Sequence, residues 1–155
     1  MPHVQPPLME VLIPIQLCAC LSYDCDCTDA MVFHVKVLDA ERKAPVTYGQ
    51  MPGEVPVPPE HAHRVMHAYL VHPDFAVMAG NTPPGVRYTG IQGCMLAITC
   101  PTVAKATRVF NALAEGGQVG MPLAKKFWAD TFGMVTDRFG IPWGVNGRLR
   151  DMAPM

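Results

Sequence analysis

The chain has 155 residues, a formal net charge of −1 and a sequence pI near 6.6, and half of its residues are hydrophobic. That length fits one domain or two small modules sharing a core, and the apolar share is enough for a real interior. With no basic run or stripe and no apolar run of membrane-spanning length, neither nucleic acid nor a membrane is an expected partner.

Residues 1–15 are expected to form a tail or an added edge strand. Leu8 to Ile15 is apolar apart from Glu10 and is broken by Pro14; no Lys or Arg precedes it and no small-residue cleavage site follows. That argues against a secretory signal. Four of the six cysteines crowd into Cys18–Cys27, while Cys94 and Cys100 stand apart. This is not the spacing of a secreted disulfide scaffold, and it predicts reduced thiols and a cytoplasmic location.

Gln16 to Tyr23 alternates loosely and reads as a strand, with Leu17, Ala19 and Leu21 on one face and Cys18, Cys20 and Ser22 on the other. Asp26 or Thr28 can cap a helix whose apolar face holds Ala30, Phe33 and Val37, widened by Met31, Val35 and Leu38. Ala44 to Gly49 is a short strand candidate. Met51 to Glu60 carries four prolines and a glycine and must be a loop. Arg64 to His72 reads as a strand, and Asp74 to Ala79 pairs back with it through His72-Pro73. Pro83-Pro84-Gly85 marks a connector.

The pattern then restarts. Gly93 to Thr99 is a strand, and Thr102 caps a second helix with Val103, Ala106, Phe110 and Leu113 on one face. Gly116-Gly117 ends that helix as a left-handed C-cap requires. Gln118 to Leu123 is followed by a closing hairpin, Phe132 to Thr136 and Ile141 to Asn146, turning at Gly140. Laid over one another at an offset of about 75 residues, the halves repeat the same element order. Each half leaves an apolar sheet face that two halves, or two chains, must pack to bury.

Several strings carry a family resemblance: Tyr48-Gly49-Gln50-Met51-Pro52, Arg64-Val65-Met66-His67-Ala68, Pro83-Pro84-Gly85, Ala112 to Gly117, Met121-Pro122-Leu123, Phe127-Trp128-Ala129, and Asp137 to Trp143 with Asn146. Together they resemble the PhnB-like branch of the vicinal oxygen chelate superfamily, which also holds glyoxalase I and bleomycin-resistance proteins. That branch often carries the label 3-demethylubiquinone-9 3-methyltransferase. The resemblance implies an α+β fold of two βαβββ modules forming a curved mixed sheet around a cavity, commonly in a homodimer. It covers residues 16–146, with modules at about 16–81 and 91–146 and a C-terminal tail over 147–155. The chain departs from the branch at Cys25 and Asp39, where glycine is usual, and at His34, where tyrosine is usual.

Metal-dependent members of the superfamily place His, Gln or Glu on the first and last strand of each module, facing the cavity. The matching positions here are Cys18 and Gly93 on the first strands, Gly144 on the last strand of the second module and Met78 to Gly80 on that of the first. Such a set cannot build a hard-ligand site, so no metal and no other cofactor is expected. Cys18-x-Cys20 with Cys25-x-Cys27 lacks the usual zinc spacing, and His61, His63 and His67 read more simply as loop and strand histidines.

The resulting expectation is a protein that binds an unidentified small molecule in the sheet cavity. Candidate ligand contacts are His67, Asn146, Phe127, Trp128 and Cys18, and no catalytic residue is assigned. His67 should face the cavity opposite Met66, Ala68 and Leu70. Trp143 and Val145 should serve the core, leaving Gly144 and Asn146 toward the cavity. Asp137 and Arg138, just before a tight turn, should pair with backbone amides or each other. Three alternatives stand beside this reading: a metal-dependent lyase, isomerase or dioxygenase with rearranged ligands; a sequestering resistance protein; and the methyltransferase of the family label. The last lacks a Gly-rich strand-to-helix turn followed by an acidic residue.

Overall fold

A computed structural model of the chain describes residues 14–50 and 57–151. The expectations for residues 1–13, for the proline loop over 51–56 and for 152–155 lie outside the described residues. The first module runs β1 (Ala19–Tyr23), α1 (Cys27–Leu38), β2 (Glu41–Arg42), β3 (Val46–Thr47), β4 (Val65–His72) and β5 (Phe75–Asn81). The second runs β6 (Leu96–Cys100), α2 (Val103–Ala114), β7 (Gln118–Ala124), β8 (Ala129–Thr136) and β9 (Pro142–Leu149). The sheets are ordered β1-β5-β4-β2, with β3 also on β4, and β6-β9-β8-β7. In each, the first strand lies parallel to the last while the remaining neighbours are antiparallel. The duplication expected from the sequence is therefore present, and the α+β class holds. The offset is slightly larger than read: Leu96 opens β6 where Ala19 opens β1, a shift of 77, and Val103 opens α2 where Cys27 opens α1, a shift of 76.

Local chemistry explains the boundaries. Thr102 caps α2 as expected, its Oγ1 accepting from the Lys105 N–H at 3.1 Å. Asp26 occupies the N-cap of α1 but makes no side-chain cap bond; instead Asn81, at the far end of β5, accepts from the Cys27 N–H at 3.0 Å. A cap supplied from a distant strand is invisible to local spacing. Helix α1 ends at Asp39, which adopts φ 51°, and Cys25 sits at φ 66°. These are the two positions where the family pattern uses glycine, so the left-handed backbone is kept although the residue has changed.

Several elements differ from expectation: β1 begins at Ala19 rather than Gln16, β3 is reduced to Val46–Thr47, and β8 begins at Ala129 rather than Phe132. Strand β6 begins at Leu96 rather than Gly93, whose φ of 71° belongs to the preceding loop, and β9 continues past Asn146 to Leu149. On α2 the buried face is Ala106, Val109, Phe110 and Leu113, with Val103 left exposed because it opens the helix.

One hydrophobic cluster spans both modules, from Leu21 and Tyr23 of β1 through Phe33 and Val37 of α1 to Phe110, Trp143 and Val145. Each fully buried large apolar side chain contributes on the order of 1.5–3 kcal/mol. Polar contacts across the seam add register: the Asp39 carboxylate meets Lys105 Nζ at 2.9 Å and Arg108 Nη2 at 3.1 Å, both on α2. Those cations hold its pKa below the ordinary carboxylate value.

Candidate functional site

Strand β9 divides its side chains between two faces. Trp143, Val145 and Gly147 turn toward α2, and Trp143 and Val145 are buried as expected. The close packing is clearest at Gly147, where an added Cβ would lie 2.8 Å from Ala106 Cβ and 3.1 Å from Val103 Cα. Gly144 and Asn146 therefore project from the opposite face. Cross-strand register extends that face. Asn146 lies beside Phe132 of β8 and Thr99 of β6, and Gly144 lies beside Met134 and Ala97.

Trp128 is fixed just before β8, where its carbonyl accepts from the Arg150 N–H at 2.8 Å. Its ring meets Phe132 edge-on at 5.4 Å and Phe127 edge-on at 4.9 Å. Its indole Nε1–H donates to Asn146 Oδ1 at 3.0 Å. Because an indole N–H can only donate, this bond fixes the amide orientation: the oxygen faces Trp128 and the Nδ2 donors point elsewhere. Phe127, Trp128 and Asn146 are thus brought together into one aromatic shelf, with Phe132 and Met95 completing it. An added Cβ at Gly144 would lie 3.3 Å from both Met95 Sδ and Phe132 Cε2. Phe127 is 76 % exposed, which rules out a core role for it.

The other two candidates lie apart from this shelf. His67 is on β4 and stacks on Tyr69, ring centroids 6.2 Å apart. It is half-buried, on the face opposite the buried Ala68 and Leu70. Tyr69 pairs with Met78 and Met78 with Cys20, so His67 belongs to the first sheet's equivalent face. Cys18 precedes β1 and borders a separate cleft of about 460 Å³ between the modules, shared with His72, Lys105 and Trp143. Sequence reasoning missed Phe132 and Met95. The two-residue alternation through Phe132 and Met134 was the available signal for the first; for Met95 there was none, since it lies in a loop.

A second, buried constellation ties the modules together. His34 Nε2 lies 2.7 Å from Asp137 Oδ2, and the Trp143 indole N–H donates to the same oxygen at 2.9 Å. Oδ1 accepts from the backbone N–H groups of Phe139 (2.9 Å) and Ile141 (3.1 Å). Asp137 thus pairs with backbone amides as expected, whereas Arg138 lies over the rings of Phe33 and Phe139, 4.5 and 5.2 Å from their centroids. The Tyr23 hydroxyl meets His34 Nδ1 at 3.3 Å. Burial alone pushes the Asp137 carboxyl up, but the hydrogen bonds from His34 and Trp143, the His34 charge and the Ile141 amide outweigh it and hold the pKa low. Tyr23 is pushed up, by burial first and then by the Asp137 charge.

A family profile described as 3-demethylubiquinone-9 3-methyltransferase matches residues 15–146. The chain belongs to this PhnB-like family. Among solved structures it is similar to protein PA1353 from Pseudomonas aeruginosa, 40 % identical, with 86 % of this chain and 97 % of that one covered and a TM-score of 0.78. A putative 3-demethylubiquinone-9 3-methyltransferase, PhnB protein, from Bacillus cereus is 22 % identical over 85 % and 98 % of the two chains, TM-score 0.69. A glyoxylase/bleomycin resistance protein/dioxygenase domain from Frankia sp. EAN1pec, 12 % identical over 88 % and 99 %, TM-score 0.60, shares the fold. The fold of this PhnB-like chain is accordingly that of the glyoxalase/bleomycin-resistance superfamily.

The superfamily's divalent ion requires hard donors on the first and last strands. Register corrects where those positions fall. Gly93 lies outside β6, and the residues of β6 and β9 on the shelf face are Ala97, Thr99, Gly144 and Asn146. On β1 and β5 they are Cys20, Ser22, Met78 and Gly80. No carboxylate or imidazole stands among them, and the described residues hold no group of three His, Cys, Asp or Glu placed for an ion. The residues present do not fit a hard divalent metal, and the four-thiolate alternative fails because Cys27 is buried on α1 while Cys20 and Cys25 are exposed.

Proposed function

We propose that this PhnB-like protein binds a small, flat, largely apolar molecule carrying an acceptor oxygen, on the shelf of Phe127, Trp128, Phe132 and Asn146. The observation that carries the reading is the Trp128 to Asn146 hydrogen bond of 3.0 Å. It pre-orients an amide so that its Nδ2 donors are available to a carbonyl or carboxylate, beside a π surface that stacks on a planar ligand. His67, on the equivalent face of the first sheet, is a separate candidate for a polar contact and not part of this shelf. Binding at this shelf requires no hard divalent metal, since the donors on its face do not fit one. The working unit is a homodimer in the cytoplasm, in which a second chain covers the open sheet faces. No helix among the described residues is long and apolar enough to cross a membrane.

The chain has two tryptophans, Trp128 and Trp143, which makes the test direct. A thermal-shift screen of aromatic carboxylates, quinones and divalent metals identifies a ligand, and tryptophan fluorescence then reports its site. Binding should change the emission of the wild type and of Trp143→Phe but not of Trp128→Phe. A ligand signal that survives in Trp128→Phe would move the site elsewhere. Metal analysis of protein purified without chelator separates the metal-dependent alternative, which requires stoichiometric metal. For the methyltransferase alternative, S-adenosylmethionine should leave the melting temperature unchanged, because the β1 to α1 turn, Asp24-Cys25-Asp26, is not the Gly-rich strand-to-helix turn that admits a nucleoside cofactor.

A further inference from the structure

The edge of β1 faces the segment leading into β6 across a groove of about 440 Å³. Cys20 lines it from the first module, and Cys94 and Met95 line it from the second. Both cysteines are exposed and unbridged, and Met95 is 45 % exposed. A second thioether adjoins Cys20, because Met78 is its partner in the parallel β1–β5 pairing. Sulfur-bearing residues from both modules thus line one groove, where the hard donors of a divalent site are missing.

We propose that this groove binds one soft, thiophilic d10 cation of the Cu(I) class, held by the Cys20 and Cys94 thiolates with the Met95 thioether as third donor. Thiolate and thioether ligands select Cu(I), whereas a structural zinc site needs four N, O or S donors in a closed tetrahedron. Each thiol loses its proton to solvent as the sulfur–metal bond forms, so loading releases two protons and changes no oxidation state. The ion ties β1 to the β6 entry and so links the modules. It also engages the Met95 side chain, which otherwise lies against Gly144 on the shelf.

The test is an anaerobic Cu(I) titration of the full chain against a chromogenic competing chelator, with sulfur-to-copper absorption as the second readout. One equivalent should bind. Cys20→Ser and Cys94→Ser should each weaken binding roughly tenfold or more, Met95→Leu by less, and Cys25→Ser, an exposed thiol outside the groove, should bind as the wild type does. Melting curves without copper confirm that the variants fold. The proposal is overturned if Cys20→Ser or Cys94→Ser retains wild-type affinity, if Cys25→Ser loses as much, or if Zn²⁺ binds the same groove as tightly as Cu(I).

Discussion

His34 Nε2 lies 2.7 Å from Asp137 Oδ2, joining the third turn of the first helix to the hairpin that closes the second module. Both side chains are almost fully buried, and their remaining polar atoms are met by Tyr23, Trp143 and two backbone amides. A charge withdrawn from water costs several kcal/mol unless its lone pairs are satisfied, and here every one of the carboxylate's contacts is a donor. The pair fixes how the modules dock. His34→Ala or Asp137→Ala should therefore destabilise the fold by about 3–5 kcal/mol, the range for breaking a buried pair. The double variant should cost clearly less than the two singles together, because the second removal no longer orphans a partner. Chemical denaturation of the three variants measures both.

The same network sets the pH limits of stability. Asp137 is held below its ordinary 3.8, so it binds fewer protons when folded than when unfolded. Its contribution is complete above that value and is lost as pH falls through the depressed folded value. Tyr23 is shifted the other way, above its ordinary 10.0, so its contribution is complete below that value and is lost as pH rises beyond it. Stability measured against pH should fall at both ends. Asp137→Asn should flatten the acid limb and Tyr23→Phe the alkaline limb. Unchanged limbs in those variants would assign the limits to other groups.

Trp143 contributes both area and a hydrogen bond, and the two are separable. Trp143→Ala should cost about 3–5 kcal/mol as a buried large aromatic is removed. Trp143→Phe keeps much of the packing but loses the N–H donated to Asp137 at 2.9 Å, so it should cost about 1.5–3 kcal/mol, the range for a bond to a charged group. A near-neutral Trp143→Ala would mean that this face of β9 does not carry the core.

Much of this fold could be read from residue order because its determinants are local. Gly116, Gly140 and Thr102 act through their own backbone or that of near neighbours, and Trp143 and Val145 declare their face by alternation. What could not be read depends on partners distant in sequence. Asn81 caps α1 from 54 residues away, and the partner of Asp137 is 103 residues away, on a helix where family likeness suggested tyrosine. At the candidate site, Phe127, Trp128 and Asn146 were recognisable as residue types. Their grouping depends on the β8–β9 register, whereas Cys18 lies ahead of β1 in the other sheet. Met95 could not be foreseen, because it reaches the shelf from a loop.

Cys25 offers a direct test of retained backbone geometry. At φ 66° a side chain is disfavoured by about 1–2 kcal/mol relative to glycine. The residue is exposed, and among the described residues its thiol makes no hydrogen bond, so little offsets that strain. Cys25→Gly should raise stability by about 1 kcal/mol, reduced from the full strain by the extra freedom of glycine in the unfolded chain. Cys25→Val should lower it, since branching at Cβ worsens the same clash. The sign of each shift in denaturation midpoint decides the matter.

The last prediction sets the two faces of β9 against each other. At Gly147 an alanine methyl would fall 2.8 Å from Ala106 Cβ, 3.1 Å from Val103 Cα and 2.7 Å from Thr131 Cγ2. Backbone and short side chains cannot yield there, so Gly147→Ala should cost about 1–3 kcal/mol by overpacking. At Gly144 the methyl would meet Met95 Sδ and Phe132 Cε2, both at 3.3 Å, and these are the far ends of side chains that can swing aside. Gly144→Ala should stay within about 0.5 kcal/mol of the wild type. A larger residue, Gly144→Leu, has to push the flexible Met95 and Phe132 side chains aside, so it should cost less stability than Gly147→Ala while blocking ligand-induced fluorescence change at Trp128. If Gly144→Leu unfolds the chain as readily as Gly147→Ala, the shelf face is closed packing rather than a binding surface.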